Sequence, residues 1–274
     1  DEFFLFGSQA AEVHHPRWFL AHLPENTEIR FEVLALSMVG LTIAGPRSRD
    51  VLQKLTDTSL ASKDFPFMAF RRVDIGMAPV WLSRMTYTGD LGYEIWMQPE
   101  YQRYLFDLIW EAGREFDMRL FGFRSLITMR LEKNFGTWFR EFRPIYTPLE
   151  AGMDRVLKLD HDFIGREAVE AEIAAGGPKR KLVMFKVDVD PEAPADVLGD
   201  EPVWHRGANG DEVVGWITSG GYAHFSGVSL ALGYIPAELA TDGNEFEIEI
   251  IGRRRPATLQ HEPVLDPQGL RMRA

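Results

Sequence analysis

Ser83-Arg84-Met85-Thr86-Tyr87-Thr88-Gly89-Asp90-Leu91-Gly92-Tyr93-Glu94-Ile95 is the stretch on which the fold turns. It reads as a strand that enters a glycine-bearing turn and leaves as a second strand. Gly89 and Asp90 supply the turn chemistry a β-hairpin needs, with or without any function. Working outward, Phe3–Phe6, Met38–Ala44, Arg72–Ile75 and Val80–Thr86 are alternating or β-branched runs bounded by Gly, Pro or polar residues, the signature of short strands. Helical spacing lies between them. Ser48–Leu55 follows Gly45-Pro46, and Tyr101–Phe116 places Leu105, Leu108, Ile109 and Ala112 on one face. A third helix is expected over Arg124–Lys133, with Leu126, Met129 and Arg130 near one another and Glu132 facing elsewhere, free to point into a cleft. Strands alternating with helices indicate an α+β domain.

Beyond a short helix reaching Ala175, Gly176-Gly177-Pro178-Lys179-Arg180 has linker composition, and the expected division is 1–176 and 177–274. Leu182–Val189, Glu212–Thr218, Ser229–Tyr234 and Glu245–Ile251 are then strand-like with almost no helical period, which predicts a small antiparallel barrel or sandwich. No repeat interrupts this plan.

With 274 residues and 45% hydrophobic content, the chain can bury a large core, and its length suits two ordinary domains. A net charge of -11 argues against a nucleic-acid surface, which depends on clustered Lys and Arg. The one basic run, Arg253-Arg254-Arg255, ends in Pro256 and reads as a solvated edge. Zero cysteine excludes disulfides, thiolate metal sites and thiol nucleophiles, and suits a reducing, cytoplasmic setting. No apolar run approaches the ~20 residues of a spanning helix, so no membrane partner is expected. The opening Asp1-Glu2-Phe3-Phe4-Leu5-Phe6 takes an acidic pair straight into an apolar stretch and reads as the start of a fragment.

Phosphate-binding loops are not evident: Gly207 and Gly210 are followed by neither a Gly-Lys step nor a helical pattern. His14 and His15 are adjacent, so their side chains diverge and do not readily share a metal, and no metal site is expected.

The hairpin resembles the Ser-Arg-x-x-Tyr-Thr-Gly-Glu-x-Gly-Phe/Tyr-Glu segment of the glycine-cleavage T-protein (aminomethyltransferase) family, with Asp90 in place of the usual Glu. The resemblance continues through Arg124…Met129-Arg130-Leu131-Glu132, Tyr146-Thr147-Pro148-Leu149-Glu150-Ala151-Gly152-Met153 and Lys158-Leu159-Asp160…Asp162-Phe163-Ile164-Gly165-Arg166. It ends with Thr218-Ser219-Gly220-Gly221-Tyr222 and Leu232-Gly233-Tyr234-Ile235-Pro236. It therefore covers nearly the whole chain. Lys133-Asn134-Phe135-Gly136-Thr137-Trp138 after the Arg-Leu-Glu motif is similar to the C-terminal half of dimethylglycine and sarcosine dehydrogenases rather than to the T-protein proper.

The resemblance implies an α+β aminomethyltransferase folate-binding fold, here partial, followed by a small C-terminal β-barrel domain. It implies tetrahydrofolate as cofactor and carries two ligand residues onto this chain, Glu132 as the carboxylate that bonds the pterin and Tyr87 as an aromatic lining the channel. Two side-by-side N–H donors of a pterin suit one carboxylate. Arg124 orders the helix start, and His161 stands near a position where the family carries an Arg. The function implied is capture of the methylene unit from oxidative N-demethylation of dimethylglycine- or sarcosine-like amines as 5,10-methylenetetrahydrofolate. The alternatives are a glycine-cleavage aminomethyltransferase, or a non-catalytic folate-binding or structural module fused to a flavoenzyme. The family's catalytic Asp is expected upstream of Asp1, and FAD only in a missing N-terminal domain, fused or partnered, so this fragment is expected to be inactive alone.

Overall fold

The computed structural model describes residues 2–25, 28–207 and 210–274. Asp1, the first of the acidic pair, lies outside them. The chain divides into two compact units, one of residues 1–126 together with 268–274 and one of residues 127–267.

In the first unit α1 (His14–Ala21) precedes β1 (Val39–Ala44), α2 (Ser48–Gln53), β2 (Phe70–Ile75), β3 (Ala78–Ser83), β4 (Gly92–Met97) and α3 (Gln102–Gly113). The four strands form one antiparallel sheet in the order β1-β4-β3-β2. Period-two alternation decides its faces. Tyr93, Ile95 and Met97 of β4 join Ile43, Val73, Val80 and Leu82 in a core closed by Val51 and Leu52 of α2 and Leu105 and Ile109 of α3. The opposite face carries Gly40, Thr42, Trp81, Ser83, Glu94 and Trp96, cross-strand neighbours by register. A Cβ at Gly40 would sit 3.2 Å from the Trp96 ring, close enough that the ring would have to shift to admit a larger residue. Helix α3 passes at Gly113 into a 3-10 turn over Arg114–Phe116, which stops at Asp117, whose φ of 55° is left-handed.

Two expectations change in this unit. Phe3–Phe6 joins no strand; strand propensity is realised only against a pairing neighbour. Its rings pack instead, Phe4 at 5.0 Å from Trp81 and Phe6 at 4.9 Å from Trp96. The strand expected to run to Thr86 ends at Ser83, where Arg84 turns into the interior with 1% exposure.

Helix α4 (Phe123–Glu132) begins at the end of the first unit and runs into the second, which contains α5 (Arg166–Ala174) and strands β5 (Arg180–Val187), β6 (Pro202–Gly207), β7 (Gly210–Ala223), β8 (Val228–Pro236), β9 (Phe246–Ile250) and β10 (Arg253–Gln260). The closing helix α6 (Leu270–Arg273) belongs to the first unit. The six strands close into a barrel ordered β10-β5-β8-β7-β6-β9 around Phe185, Val203, Ile217, Ala231, Phe246 and Ile248. Contact density groups residues 127–176 with this barrel. Gly207 and Gly210 are partners in the β6–β7 register.

Residues 253–255 pair with β9 alone, the pairing of β10 with β5 beginning at Ala257, and Arg253 and Arg254 are exposed as a solvated edge would have them, while Arg255 departs from that reading. Arg255 is 4% exposed and donates to the carbonyls of Ala193 and Ala195. Arg254 lies 3.5 Å over the Trp204 ring and bonds Asp211 at 2.7 Å, while Arg253 reaches Asp190. These cations are spent on neighbours within the unit.

Close packing also explains a motif. At Gly220 a Cβ would lie 2.5 Å from Val197 and 2.9 Å from the Leu230 carbonyl. Gly220→Ala is therefore expected to cost about 1–3 kcal/mol by overpacking. Urea denaturation followed by tryptophan fluorescence checks this, and an unchanged midpoint would show that the barrel yields there.

Candidate functional site

The hairpin loop of residues 84–91 is stiffened by its own side chains. The Thr86 hydroxyl oxygen accepts from the Thr88 amide at 3.1 Å and lies 2.9 Å from the Thr88 hydroxyl, and Asp90 Oδ1 accepts from the Leu91 amide at 2.9 Å. Gly89 takes φ +85°, and Gly92 has no room for a Cβ, which would meet Thr86 at 2.9 Å. Tyr87 sits half-buried in this loop, and Glu94 follows two residues into β4. Burial pushes the Glu94 carboxyl above the ordinary range, against the pull of the adjacent Trp96 side chain. It is the one carboxylate among the described residues with a resolved upward shift. Glu94 is a half-buried carboxylate on the sheet face that also carries Trp81 and Trp96, which makes it a candidate ligand-binding group. A cavity of about 320 Å³ adjoins this sheet along β1, lined mainly by apolar residues including Leu41, Phe106, Trp110 and Phe121.

In the second unit the end of α4 is buried on every side: Arg130, Leu131, Glu132 and Lys133 are each no more than 4% exposed. Glu132 does not open onto a free cleft in this unit. One of its oxygens accepts from the Phe225 amide at 3.2 Å and the other from the Ser226 hydroxyl at 2.5 Å, both at the β7–β8 tip. Lys133 donates to the Asp266 carbonyl at 2.5 Å.

Beside it lies Glu141, fully buried. Its Oε2 accepts from Arg130 Nη1 at 3.2 Å, the Thr137 amide at 2.7 Å and the Thr137 hydroxyl at 3.0 Å. Its Oε1 accepts from the hydroxyls of Thr218 at 2.6 Å and Ser219 at 2.5 Å. Neighbouring residues on a regular strand point to opposite faces. A register shift between Ile217 and Ser219 removes that constraint, and both hydroxyls reach one oxygen. Tyr234 donates to the Glu141 carbonyl at 2.7 Å and stacks on Tyr146 at 3.8 Å. The Thr147–Glu150 turn closes reciprocally: the Thr147 amide donates to Glu150, and the Glu150 amide donates to the Thr147 hydroxyl, both at 3.1 Å. These contacts give the motif residues structural work.

Tyr87 and Glu132 belong to different compact units. His161 is exposed, with Nδ1 3.1 Å from Asp160. His14 and His15 are consecutive at the start of α1. Among the described residues no group of three His, Cys, Asp or Glu is placed to hold a metal, and no helix is long and apolar enough to cross a membrane. The sequence reading passed over Glu94 and Glu141. The signal for Glu94 was present, since alternation through Gly92–Met97 sets it on the face away from Tyr93 and Ile95.

A strand–helix domain of this kind joined to a six-stranded closed barrel is that of the folate-binding aminomethyltransferases, and the chain belongs to the glycine-cleavage T-protein family. The GCVT N-terminal domain matches residues 1–161 and the glycine cleavage T-protein C-terminal barrel domain matches 180–266. Mitochondrial dimethylglycine dehydrogenase of Rattus norvegicus is 37% identical over 99% of this chain, which spans only 31% of the rat protein. An aminomethyltransferase of a Synechocystis strain is 33% identical over 91% of this chain and 63% of its own length. The crystal structure of the Bartonella henselae glycine cleavage system aminomethyltransferase T superimposes with a TM-score of 0.68 over 84% of this chain and 60% of that one, at 22% identity.

Proposed function

We propose that this chain is the tetrahydrofolate-binding module of an enzyme that oxidatively demethylates a dimethylglycine- or sarcosine-like amine, and that the released one-carbon unit leaves as 5,10-methylenetetrahydrofolate. The similarity to dimethylglycine dehydrogenase over 99% of the chain carries the reading. In it residues 1–176 are the folate-binding domain and 177–274 the barrel. A flavin domain and the proton-transferring Asp are supplied by polypeptide beyond this chain, fused or partnered, so the chain alone turns nothing over. A cytoplasmic compartment is part of this reading, whereas the rat dimethylglycine dehydrogenase it resembles is mitochondrial.

The residues present suit a pterin. Adjacent N–H donors on a flat bicyclic ring match a carboxylate, and Glu94 offers one on the sheet face of Trp96 and Trp81, whose rings already pack against Phe4, Phe6 and Phe70. Tyr87 lines the ligand from the loop. Glu132 is the second carboxylate of the proposal, and Glu94 ranks ahead of it because both Glu132 oxygens already have donors. Bound tetrahydrofolate supplies the nucleophilic nitrogens, while the chain's own residues orient it and exclude water.

Calorimetry of the chain against tetrahydrofolate, with Glu94→Gln and Glu132→Gln in parallel, tests the proposal. Binding that is lost in a variant identifies the pterin carboxylate. Absence of binding by the unaltered chain, together with an unchanged ratio of formaldehyde to methylenetetrahydrofolate when both residues are changed in the longer enzyme, favours a structural module instead.

A further inference from the structure

The turn that joins β8 to β9 contains Asp242-Gly243, the one Asp-Gly step in the chain; every other Asp is followed by a residue with a side chain. Its flanks are pinned. Asn244 Nδ2 donates to the carbonyls of Leu239 at 3.0 Å and Thr241 at 3.2 Å, and Asn244 Oδ1 accepts from His205 Nε2 at 3.2 Å. The two residues between Thr241 and Asn244 are open to solvent. The Asp242 side chain is 88% exposed, and a Cβ on Gly243, which takes φ +92°, would meet nothing within 4 Å. The Gly243 amide donates to no acceptor among the described residues.

An aspartate carboxyl carbon and the amide nitrogen of the next residue can close a small ring. A side chain on that next residue crowds the nitrogen, and glycine removes the obstacle. Ring closure also requires a carboxyl oxygen to leave, which a carboxylate does poorly without a proton. His261 stands where a proton can be given. It follows β10 directly, and its Nε2 donates to Asp242 Oδ1 at 2.7 Å. Imidazole is the side chain that carries a transferable proton near neutral pH.

We propose that Asp242-Gly243 is a site of spontaneous isoaspartate formation, with His261 as its proton donor. The Gly243 nitrogen bonds to Cγ of Asp242 and the Cγ–Oδ1 bond breaks. The departing oxygen leaves as water, taking one proton from the imidazolium and one from the amide. Water then opens the ring at the main-chain carbonyl carbon, which restores the amide N–H, frees a main-chain carboxylate and returns a proton to His261. The chain now runs through Cβ and Cγ of residue 242, and nothing is oxidised or reduced. The product lengthens the backbone beside Asn244 and moves the carboxylate away from His261. The inference is independent of the folate reading, since no step involves folate.

Ageing the full chain in warm neutral buffer, followed by peptide mapping, tests it. Cleavage after Glu238 and Glu245 yields the peptide 239–245, which excludes the Asn209-Gly210 step. The isoaspartyl form has the parent's mass and separates from it by chromatography. It is expected to accumulate in this peptide at least about tenfold faster than at any other Asp, because only Asp242 has glycine behind it. His261→Gln changes a side chain that is 57% exposed and is expected to slow the accumulation by about tenfold or more. Accumulation in 239–245 no faster than at other aspartates overturns the site, and equal rates in the parent and His261→Gln overturn the role of His261.

Discussion

Glu141→Gln is expected to destabilise the second unit by about 3–5 kcal/mol, the largest effect of any single change discussed for this chain. The side chain is fully buried and its carboxylate holds Arg130, itself 1% exposed, together with Thr137, Thr218 and Ser219. Removing the charge strands a guanidinium in the interior and asks an amide NH₂ to face hydroxyl and guanidinium donors. The size of that loss does not measure the worth of the pair. Replacing both Arg130 and Glu141 with apolar residues should recover much of it, because the desolvation of both ions then disappears. Urea denaturation of the single and double variants separates these terms, and a single-variant loss under about 1 kcal/mol would show that the network is not stabilising.

The pH dependence has a definite sign. Burial by itself would raise the Glu141 pKa, but the Arg130 charge, the Ser219 and Thr218 hydroxyls and the Thr137 amide outweigh it and hold the group below its ordinary value of 4.5. A depressed carboxylate contributes stability that is complete above the unfolded value and is lost as pH falls through the folded one. The parent should thus lose stability below about pH 4.5 more steeply than Glu141→Gln.

Glu94→Gln is expected to weaken tetrahydrofolate binding by about 10- to 100-fold, the range for losing a charge-assisted hydrogen bond of 1.5–3 kcal/mol. Binding a donor pair favours the ionised carboxylate, whose pKa stands raised by burial in the free chain. Association therefore releases a proton, and affinity should climb with pH through the Glu94 titration. In Glu94→Gln that climb disappears. Calorimetry in buffers of different ionisation enthalpy reads the proton directly, and a pH-independent affinity in the parent removes Glu94 from the pterin contact.

Local pattern alone determined much of this protein. Tyr93, Ile95 and Met97 alternate with Glu94 and Trp96, so a period of two in the sequence settles which face of β4 is core and which carries the carboxylate. The all-strand character of the second half, the turn at Gly89 and the family's ordered motifs are equally local, since each depends on neighbours a few residues away. Phe3–Phe6 shows the limit: its strand propensity is plain, but a strand needs a partner, and its rings pack on Trp81 and Trp96 instead.

Tertiary structure decided what distance in the chain conceals. Glu132 meets Phe225 and Ser226, 93 and 94 residues away, so helical spacing could set its direction but not its burial. Arg255 looks like its solvated neighbours until barrel closure turns it toward the carbonyls of Ala193 and Ala195. Thr218 and Ser219 share one carboxylate oxygen because a single residue of slippage between β7 and β8 overrides the alternation that their positions alone predict. Periodicity records which face of an element is apolar. Only the closing of the chain on itself determines which polar group finds a partner there, because a buried polar atom takes its energy from a neighbour the local sequence does not contain.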